Sequence, residues 1–274
     1  MREKNIKSIG VLGCGWLGLP LAKQLVTAGY FVRGTTTTKE KLNEIKSAGV
    51  SPFLSECTAS DCSSLAPFLL GLELLIIAIP PGIRQHPTKR FDLVIDQIIN
   101  EVNAHTIRKV IFISSTSVYG QAVGKIDESH KANPDTESGK QLLACEQKLL
   151  TNPFFESCIL RFGGLIGPNR HPVFSLAKKG EISNAEGRIN LIHQTDCIGL
   201  IMTCIHNFKG KVIYNGVTPY HPSRRKYYTE MAKLAELPIP VFLATKKNDR
   251  VISSAKIQTA FGFRFMVENL LTLN

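Results

Sequence analysis

The chain has 274 residues, 43% hydrophobic and 20% charged, with a formal charge of +11. That balance excludes a largely disordered chain and admits one large α/β domain, or such a domain with a smaller lobe. The longest apolar stretch, FLLGLELLIIAIPPG, contains Glu73 and a proline pair and falls short of the roughly 20 residues that a spanning helix needs. The N-terminal apolar run is broken by glycines and makes a poor leader peptide, so a cytoplasmic protein is expected. Seven cysteines (14, 57, 62, 145, 158, 197 and 204) form no C-x-x-C pair and no metal cluster, and most read as reduced core residues. The positive charge, densest in SRRKYY and TKKNDR, permits anionic partners. No nucleic-acid recognition motif accompanies it, so nucleic acid ranks last, behind a small-molecule substrate.

In chain order, short apolar runs alternate with amphipathic stretches. SIGVLG precedes the helical LGLPLAKQLVTAG, and the strand YFVRGT precedes the helical KEKLNEIKSAG. The strand ELLIIAIPP, the helical FDLVIDQIINEVNAHTI, the strand KVIFISS, a helix around 137–151 and the strand SCILRFGG continue the rhythm. Such alternation predicts βαβ units, here an α/β fold with a Rossmann-type, doubly wound sheet of six parallel strands. After about residue 168 the rhythm loosens, although DCIGLIMTCIHN and RRKYYTEMAKLAEL keep helical spacing and KVIYNGV reads as a strand. The expected organisation is an NAD(P)-binding domain over 1–168 and a smaller C-terminal substrate lobe, mainly 169–274, with some segments returning to the first domain.

Residues 13–18 read GCGWLG, a G-x-G-x-x-G between an apolar strand and a helix carrying Leu17, Leu21 and Leu25. Gly13 makes the tight turn, Gly15 lets backbone approach a pyrophosphate, and Gly18 packs helix on strand, which leaves the phosphates at the positive helix N-terminus. Trp16 and Leu17 share this loop and are expected at the cofactor, as are Ala78, Ile79 and Pro80 where the fourth strand ends. NAD-selective sites carry an acidic residue roughly 20 positions on, for the ribose 2′-hydroxyl. None lies between Leu19 and Lys39. Arg33, the run from Thr35 through Thr36 to Thr38, and Lys39 offer a receptor for a 2′-phosphate instead, which favours NADP over NAD. The alternative is that the threonines only cap a helix beginning near Lys39.

The strand KVIFI should open at its carboxyl end onto the ligand crevice of such a sheet, and SSTSVYG (114–120) follows it. Ser114 is therefore expected at the cofactor, and Thr116 and Ser117 at the substrate. FISSTSVYG, ILRFGGLIGP, NLIHQTD and VIYNGV occur in the order and approximate spacing of extended short-chain dehydrogenases/reductases, the nucleotide-sugar epimerase/dehydratase group. The chain resembles that family over almost its whole length. Taken together, GWLGLPLA, SSTSVYG, GLIGPNRHP and YHPSRRKYY resemble its atypical YeeZ-like branch.

The resemblance implies an NAD(P)-dependent oxidoreductase or isomerase acting on a small carbonyl or alcohol compound, phosphorylated or nucleotide-linked. It implies that Ser115, four places before Tyr119, positions the substrate oxygen. It also exposes a departure. When Glu146 is laid on the family's glutamate, Ser138 stands in the place of the proton-transferring tyrosine and Leu142 in that of its lysine. The lysine normally helps to lower a tyrosine pKa of about 10, and a serine hydroxyl is far less acidic, so Tyr-Lys catalysis does not carry over.

Tyr119 and His193 are the candidate replacements for the missing acid. Arg161, Arg170 and His171 are expected near the crevice, where an arginine can grip phosphate or carboxylate in two-pronged fashion; alternatively, Arg161 ties down a loop. By resemblance, SRRK, with Arg224, could hold a nucleotide diphosphate. An enzyme with an atypical active site is the leading expectation, and a non-catalytic, redox-sensing NAD(P)-binding protein is the alternative. A monomer or homodimer without metal or membrane partner completes the reading.

Overall fold

The structure, a computed structural model, describes residues 6–83, 86–243 and 249–272. The lysines of TKKNDR lie outside the described residues. In chain order the first elements are β1 (Ser8–Leu12), α1 (Gly18–Thr27), β2 (Phe31–Thr36), α2 (Leu42–Ser47), β3 (Ser51–Leu54), α3 (Ala66–Leu69), β4 (Leu74–Ile77), α4 (Phe91–Asn103) and β5 (Lys109–Ser115). There follow β6 (Gly124–Ile126), α5 (Glu137–Thr151), β7 (Glu156–Phe162), β8 (Gly164–Ile166), α6 (Pro172–Lys179), β9 (Glu181–Ile182), β10 (Leu191–His193) and α7 (Gln194–His206). The chain closes with β11 (Val212–Gly216), α8 (Arg224–Leu234), β12 (Val241–Phe242), β13 (Arg250–Ile252) and α9 (Ala255–Phe261).

Seven strands form the main sheet in the order β11-β7-β5-β4-β1-β2-β3. β1 pairs in parallel with both β2 and β4, β2 with β3, and β4 with β5, which is the doubly wound Rossmann arrangement that the alternation predicts. One strand more than expected is present. It is β11, the VIYNG run, which takes the edge beside β7. Its distance in sequence from β7 hides that pairing, because an edge strand reached by a long connection carries no local marker of its neighbour.

The described residues divide into two compact units, one within 6–114, 136–160 and 201–213, the other within 115–135, 161–200 and 214–272. The boundary falls inside β5, β7 and β11, each of which begins in the first unit and ends in the second.

In the first unit β4 is buried along its whole length, as an apolar LLII run covered on both faces must be. Leu21 and Leu25 of α1 and Ile95 and Ile98 of α4 are also fully buried there. Each such side chain contributes about 1.5–3 kcal/mol relative to exposure.

The second unit holds three short parallel pairs, β8 with β10, β9 with β12, and β6 with β13. Its core gathers Ile166, Val173, Ile189, Tyr227, Met231 and Leu270.

Five cysteines are free and buried, in keeping with the expectation for most of them. Cys57 and Cys62 are instead joined as a disulfide, with Cα atoms 4.5 Å apart. The turn closed by Thr58 N–H on the Asp61 carbonyl, at 2.8 Å, brings the two together. Among the described residues no helix is long and apolar enough to cross a membrane, and none of the His, Cys, Asp and Glu side chains cluster as a metal site would require.

Candidate functional site

In the first unit, β1 runs into the glycine loop and the loop into α1. Gly13 has φ +102°, and a Cβ there would stand 2.7 Å from Ile79 Cγ2. A Cβ on Gly18 would collide with the Gly13 carbonyl, so both positions require glycine on steric grounds. Gly15 differs, since nothing lies within 4 Å of the point its Cβ would occupy. That open position is where a ligand's backbone-hugging group has room. No acidic residue occupies the first turn of α1, and Leu17 gives no side-chain cap, so the helix presents its N–H groups and positive end uncompensated. Trp16 is half-buried and Leu17 is buried.

Thr35 clasps this loop from β2. Its hydroxyl accepts the Gly13 N–H at 2.9 Å, and its carbonyl accepts the Cys14 N–H at 2.8 Å. Thr36 Oγ1 accepts the Thr38 N–H at 3.1 Å, whereas Thr38 makes no side-chain cap. The threonine run therefore shapes the end of β2 and does not cap the following turn.

Arg33 departs from expectation. Its Nη1 donates to the Pro67, Phe68 and Leu70 carbonyls, at 3.3, 3.0 and 2.5 Å, at the end of α3. Its guanidinium also lies 5.7 Å from the ring centres of Phe31 and Phe53. The physical reason is register: β2 continues three residues past Arg33, to Thr36, so the arginine sits mid-strand and closes α3. Thr37, Thr38 and Lys39 are the exposed polar residues that follow β2.

Where β4 ends, the Ala78 N–H donates to the Leu12 carbonyl at 2.9 Å, and Ile79 reaches Gly13; Ala78 and Ile79 are half-buried and Pro80 is exposed. Ser114, buried at the end of β5, donates to Glu146 Oε1 of α5 at 2.5 Å. On the same helix Ser138 is half-buried in the first turn and Leu142 is only 5% exposed. Leu142, where the resemblance would place a lysine, is therefore a core residue. Lys140 is exposed and offers no substitute.

In the second unit, Ser115 caps the short turn Thr116–Tyr119, its Oγ accepting the Ser117 N–H at 3.1 Å. The hydroxyl proton of Ser115 is not consumed by that bond. Thr116 is buried and Ser117 half-buried.

Tyr119 is 1% exposed. Its hydroxyl donates to Asn215 Oδ1 at 2.9 Å, and the Arg161 guanidinium lies 4.8 Å from its ring centre. Asn215 in turn donates its N–H to Glu128 Oε1 at 2.7 Å and its Nδ2 to the Ser253 carbonyl at 3.1 Å. Burial pushes up both the Tyr119 phenol and the Glu128 carboxyl. In this arrangement Tyr119 is a buried donor with Arg161 against its ring. Nothing in local spacing announces this network, whose members are far apart in sequence.

His193 uses Nδ1 to accept the Thr195 N–H at 3.2 Å, which puts its proton on Nε2. It borders a cavity of about 760 Å³ shared with Pro168, Thr195, Phe265 and Met266. Asp196 accepts the N–H groups of Met266 and Val267, at 2.7 and 3.2 Å.

His171 caps α6 through Nδ1, 3.1 Å from Val173 N, and its Nε2 meets the Tyr227 hydroxyl at 2.9 Å. The Tyr227 hydroxyl in turn donates to the Leu270 carbonyl at 3.0 Å. Burial lowers the His171 pKa to about 4, so it is a neutral structural group, not a cationic substrate contact. Arg170 is exposed, and the half-buried Arg224 lies 5.6 Å from the Tyr228 ring centre.

A second cavity, of about 490 Å³, is lined by Glu186, Arg188, Tyr220, His221, Ser223 and Lys226 among others. Arg188 pairs with Asp249 at 3.3 Å and donates to the His221 carbonyl at 3.1 Å. Sequence reasoning missed Arg188. Its place in GRINLIH, close before His193, was the available signal.

Residues 8–133 match the family described as the NAD binding domain of 6-phosphogluconate dehydrogenase. The chain is 33% identical over 277 aligned positions to protein YeeZ of Escherichia coli K12, covering 98% of this chain and 99% of that one. It is 28% identical over 123 residues to an uncharacterized UDP-glucose epimerase, YtcB of Bacillus subtilis, covering 40% of this chain and 38% of the other. Among solved structures, a UDP-glucuronic acid 4-epimerase from Bacillus cereus in complex with NAD shares the fold. Its TM-score is 0.79 at 19% identity, with 97% of each chain covered.

Proposed function

From the membership of this chain in the YeeZ family, an atypical branch of the epimerase/dehydratase-like short-chain dehydrogenases/reductases, we propose that it is an NAD(P)-dependent oxidoreductase or epimerase. Its substrate is a small alcohol or carbonyl compound, phosphorylated or nucleotide-linked. The observation that carries the reading is the glycine loop: Gly13 and Gly18 are sterically required, Gly15 faces open space, and Thr35 fixes the loop. The first unit is the cofactor-binding part and the second the substrate-binding part.

When bound, the nicotinamide ring accepts or returns a hydride at C4. Oxidation of an alcohol then requires the hydroxyl proton to leave for a base as the hydride departs, and an epimerase returns the hydride to the opposite face of the carbonyl. Ser115 orients the substrate oxygen with its remaining hydroxyl proton. Of the two candidates for the proton, His193 is favoured over Tyr119, because it borders a cavity while Tyr119 donates within a buried network. The cavity that presents Arg188 and Lys226, beside Glu186, suits a diphosphate-linked substrate. NADPH is favoured over NADH on the lack of an acidic residue between Leu19 and Lys39, with Thr37, Thr38 and Lys39 as receptors and without Arg33.

Titration with NADPH and NADH, followed by quenching of Trp16, the sole tryptophan, tests cofactor binding. Turnover of nucleotide sugars or phosphorylated alcohols, lost in Ser115→Ala, tests catalysis. A folded protein that binds neither cofactor overturns the reading.

A second reading is favoured by Ser138 and by the buried Leu142: the protein binds the dinucleotide and signals its redox state without catalysis. Cofactor binding without turnover across the substrate panel, together with an affinity that differs between the oxidised and reduced dinucleotide, is the result it expects.

A further inference from the structure

The core position of Leu142 leaves the first unit without the cation that the family sets on α5. The residue before it, Gln141, is also only 5% exposed, and it does unusual work for a buried amide. Its Oε1 accepts the Phe91 N–H at 2.7 Å, while its Nε2 donates to the Lys89 carbonyl at 3.2 Å and to Glu137 Oε1 at 2.8 Å. Residues 89–91 are therefore pinned to α5 one position from the missing lysine.

Between β4 and α4 the His86 N–H donates to the Gly82 carbonyl at 3.1 Å, and the Lys89 N–H to the His86 carbonyl at 3.0 Å. Lys89 Nζ stands 3.5 Å from the point that a Cβ on Gly82 would occupy. Gly82 lies three residues after Ile79, which touches Gly13, so at most about 11 Å of chain separates it from the glycine loop. Lys89 is half-buried. Among the described residues it makes no ion pair, although its neighbour Arg90 pairs with Asp92 and Lys148 with Asp96. A lysine held by its backbone, partly withdrawn from water and unpaired is a charge kept for something else.

We propose that Lys89 supplies positive charge for the diphosphate of the bound dinucleotide, on its nicotinamide side. The inference rests on the dinucleotide reading of the glycine loop. The side follows from the sheet order: β4 and β2 flank β1 on opposite sides, and the end of β2 is the adenosine-ribose end. A lysine acts on phosphate as a point charge and needs no two-pronged geometry, so an arginine at this position retains most of the effect.

The test measures affinities of wild type, Lys89→Gln and Lys89→Arg for NADH, ADP-ribose and AMP, by calorimetry and by Trp16 quenching, at two salt concentrations. Lys89→Gln should weaken NADH and ADP-ribose by about tenfold or more, with a shallower salt dependence, and leave AMP within about twofold. Lys89→Arg should restore most of the loss. Unchanged NADH affinity in Lys89→Gln overturns the proposal. An equal loss for all three ligands also overturns it, since that pattern marks a distorted loop. Wild type that is folded but binds none of NADPH, NADH and ADP-ribose sinks the dinucleotide reading itself, a result distinct from both.

Discussion

The Ser114 hydroxyl donates a hydrogen bond to Glu146, 2.5 Å away, and the accepting side chain is 1% exposed. A buried carboxylate that loses a donor incurs a desolvation penalty of about 1–3 kcal/mol. Ser114→Ala should lose that much stability in urea unfolding, and Ser114→Thr, which keeps a hydroxyl, should lose less.

Gly15 and Gly18 should separate binding from folding. Gly15→Ala enters open space, so the variant should melt close to wild type while losing most of its dinucleotide affinity. Gly18→Ala meets the Gly13 carbonyl and should lose several kcal/mol or fail to accumulate as folded protein. Thermal melts of both, with a dinucleotide titration of the first, check the contrast. Equal melting temperatures for the two variants would contradict it.

Thr35→Val keeps shape but removes the acceptor for the Gly13 N–H. The unsatisfied donor should cost about 1–3 kcal/mol. Because the loop loses its clasp, NADH affinity should fall as well. Thr36→Val, whose hydroxyl only turns back to Thr38, should leave affinity within about threefold. Calorimetric titration of the two variants distinguishes them.

His171 sets a pH dependence. Its pKa is lowered by burial from 6.5 to about 4, so the unfolded chain binds this proton more readily than the folded one. The stability it contributes is complete above pH 6.5 and is lost as pH falls from there towards 4, by an amount on the order of 3 kcal/mol. His171→Asn retains an acceptor at the α6 N-cap but does not titrate. Urea unfolding at pH 7, 5.5 and 4.5 should show a smaller decline for this variant than for wild type.

The parts of the fold that were legible in the sequence are local. GCGWLG between an apolar strand and a leucine-spaced helix gives both its structure and its glycine requirements, because sterics within a dozen residues decide them. Contacts over long separations were not legible. Tyr119, Asn215 and Glu128 meet only through tertiary packing, so the hydroxyl in VYG read as a candidate acid when it is a buried donor. Arg33 misled for a subtler reason. It lies near the end of the second apolar run, but the threonines after it extend the strand, and a shift of three residues moves a side chain from the strand's end to its middle. The turn that joins Cys57 to Cys62 likewise rests on a Thr-Asp backbone bond that cysteine spacing does not reveal.

The interrupted course of the chain has a consequence for its synthesis. β11 is the last strand of the sheet to leave the ribosome, and until residues 212–216 emerge β7 exposes an unpaired edge. By then most of the polypeptide, including α5 to α7, has already been made. A nascent chain stalled before that point carries an open parallel sheet, the kind of edge that recruits other strands. Completion of this sheet is therefore a late event in translation, and shortening the chain before residue 216 should produce aggregates rather than a smaller working protein.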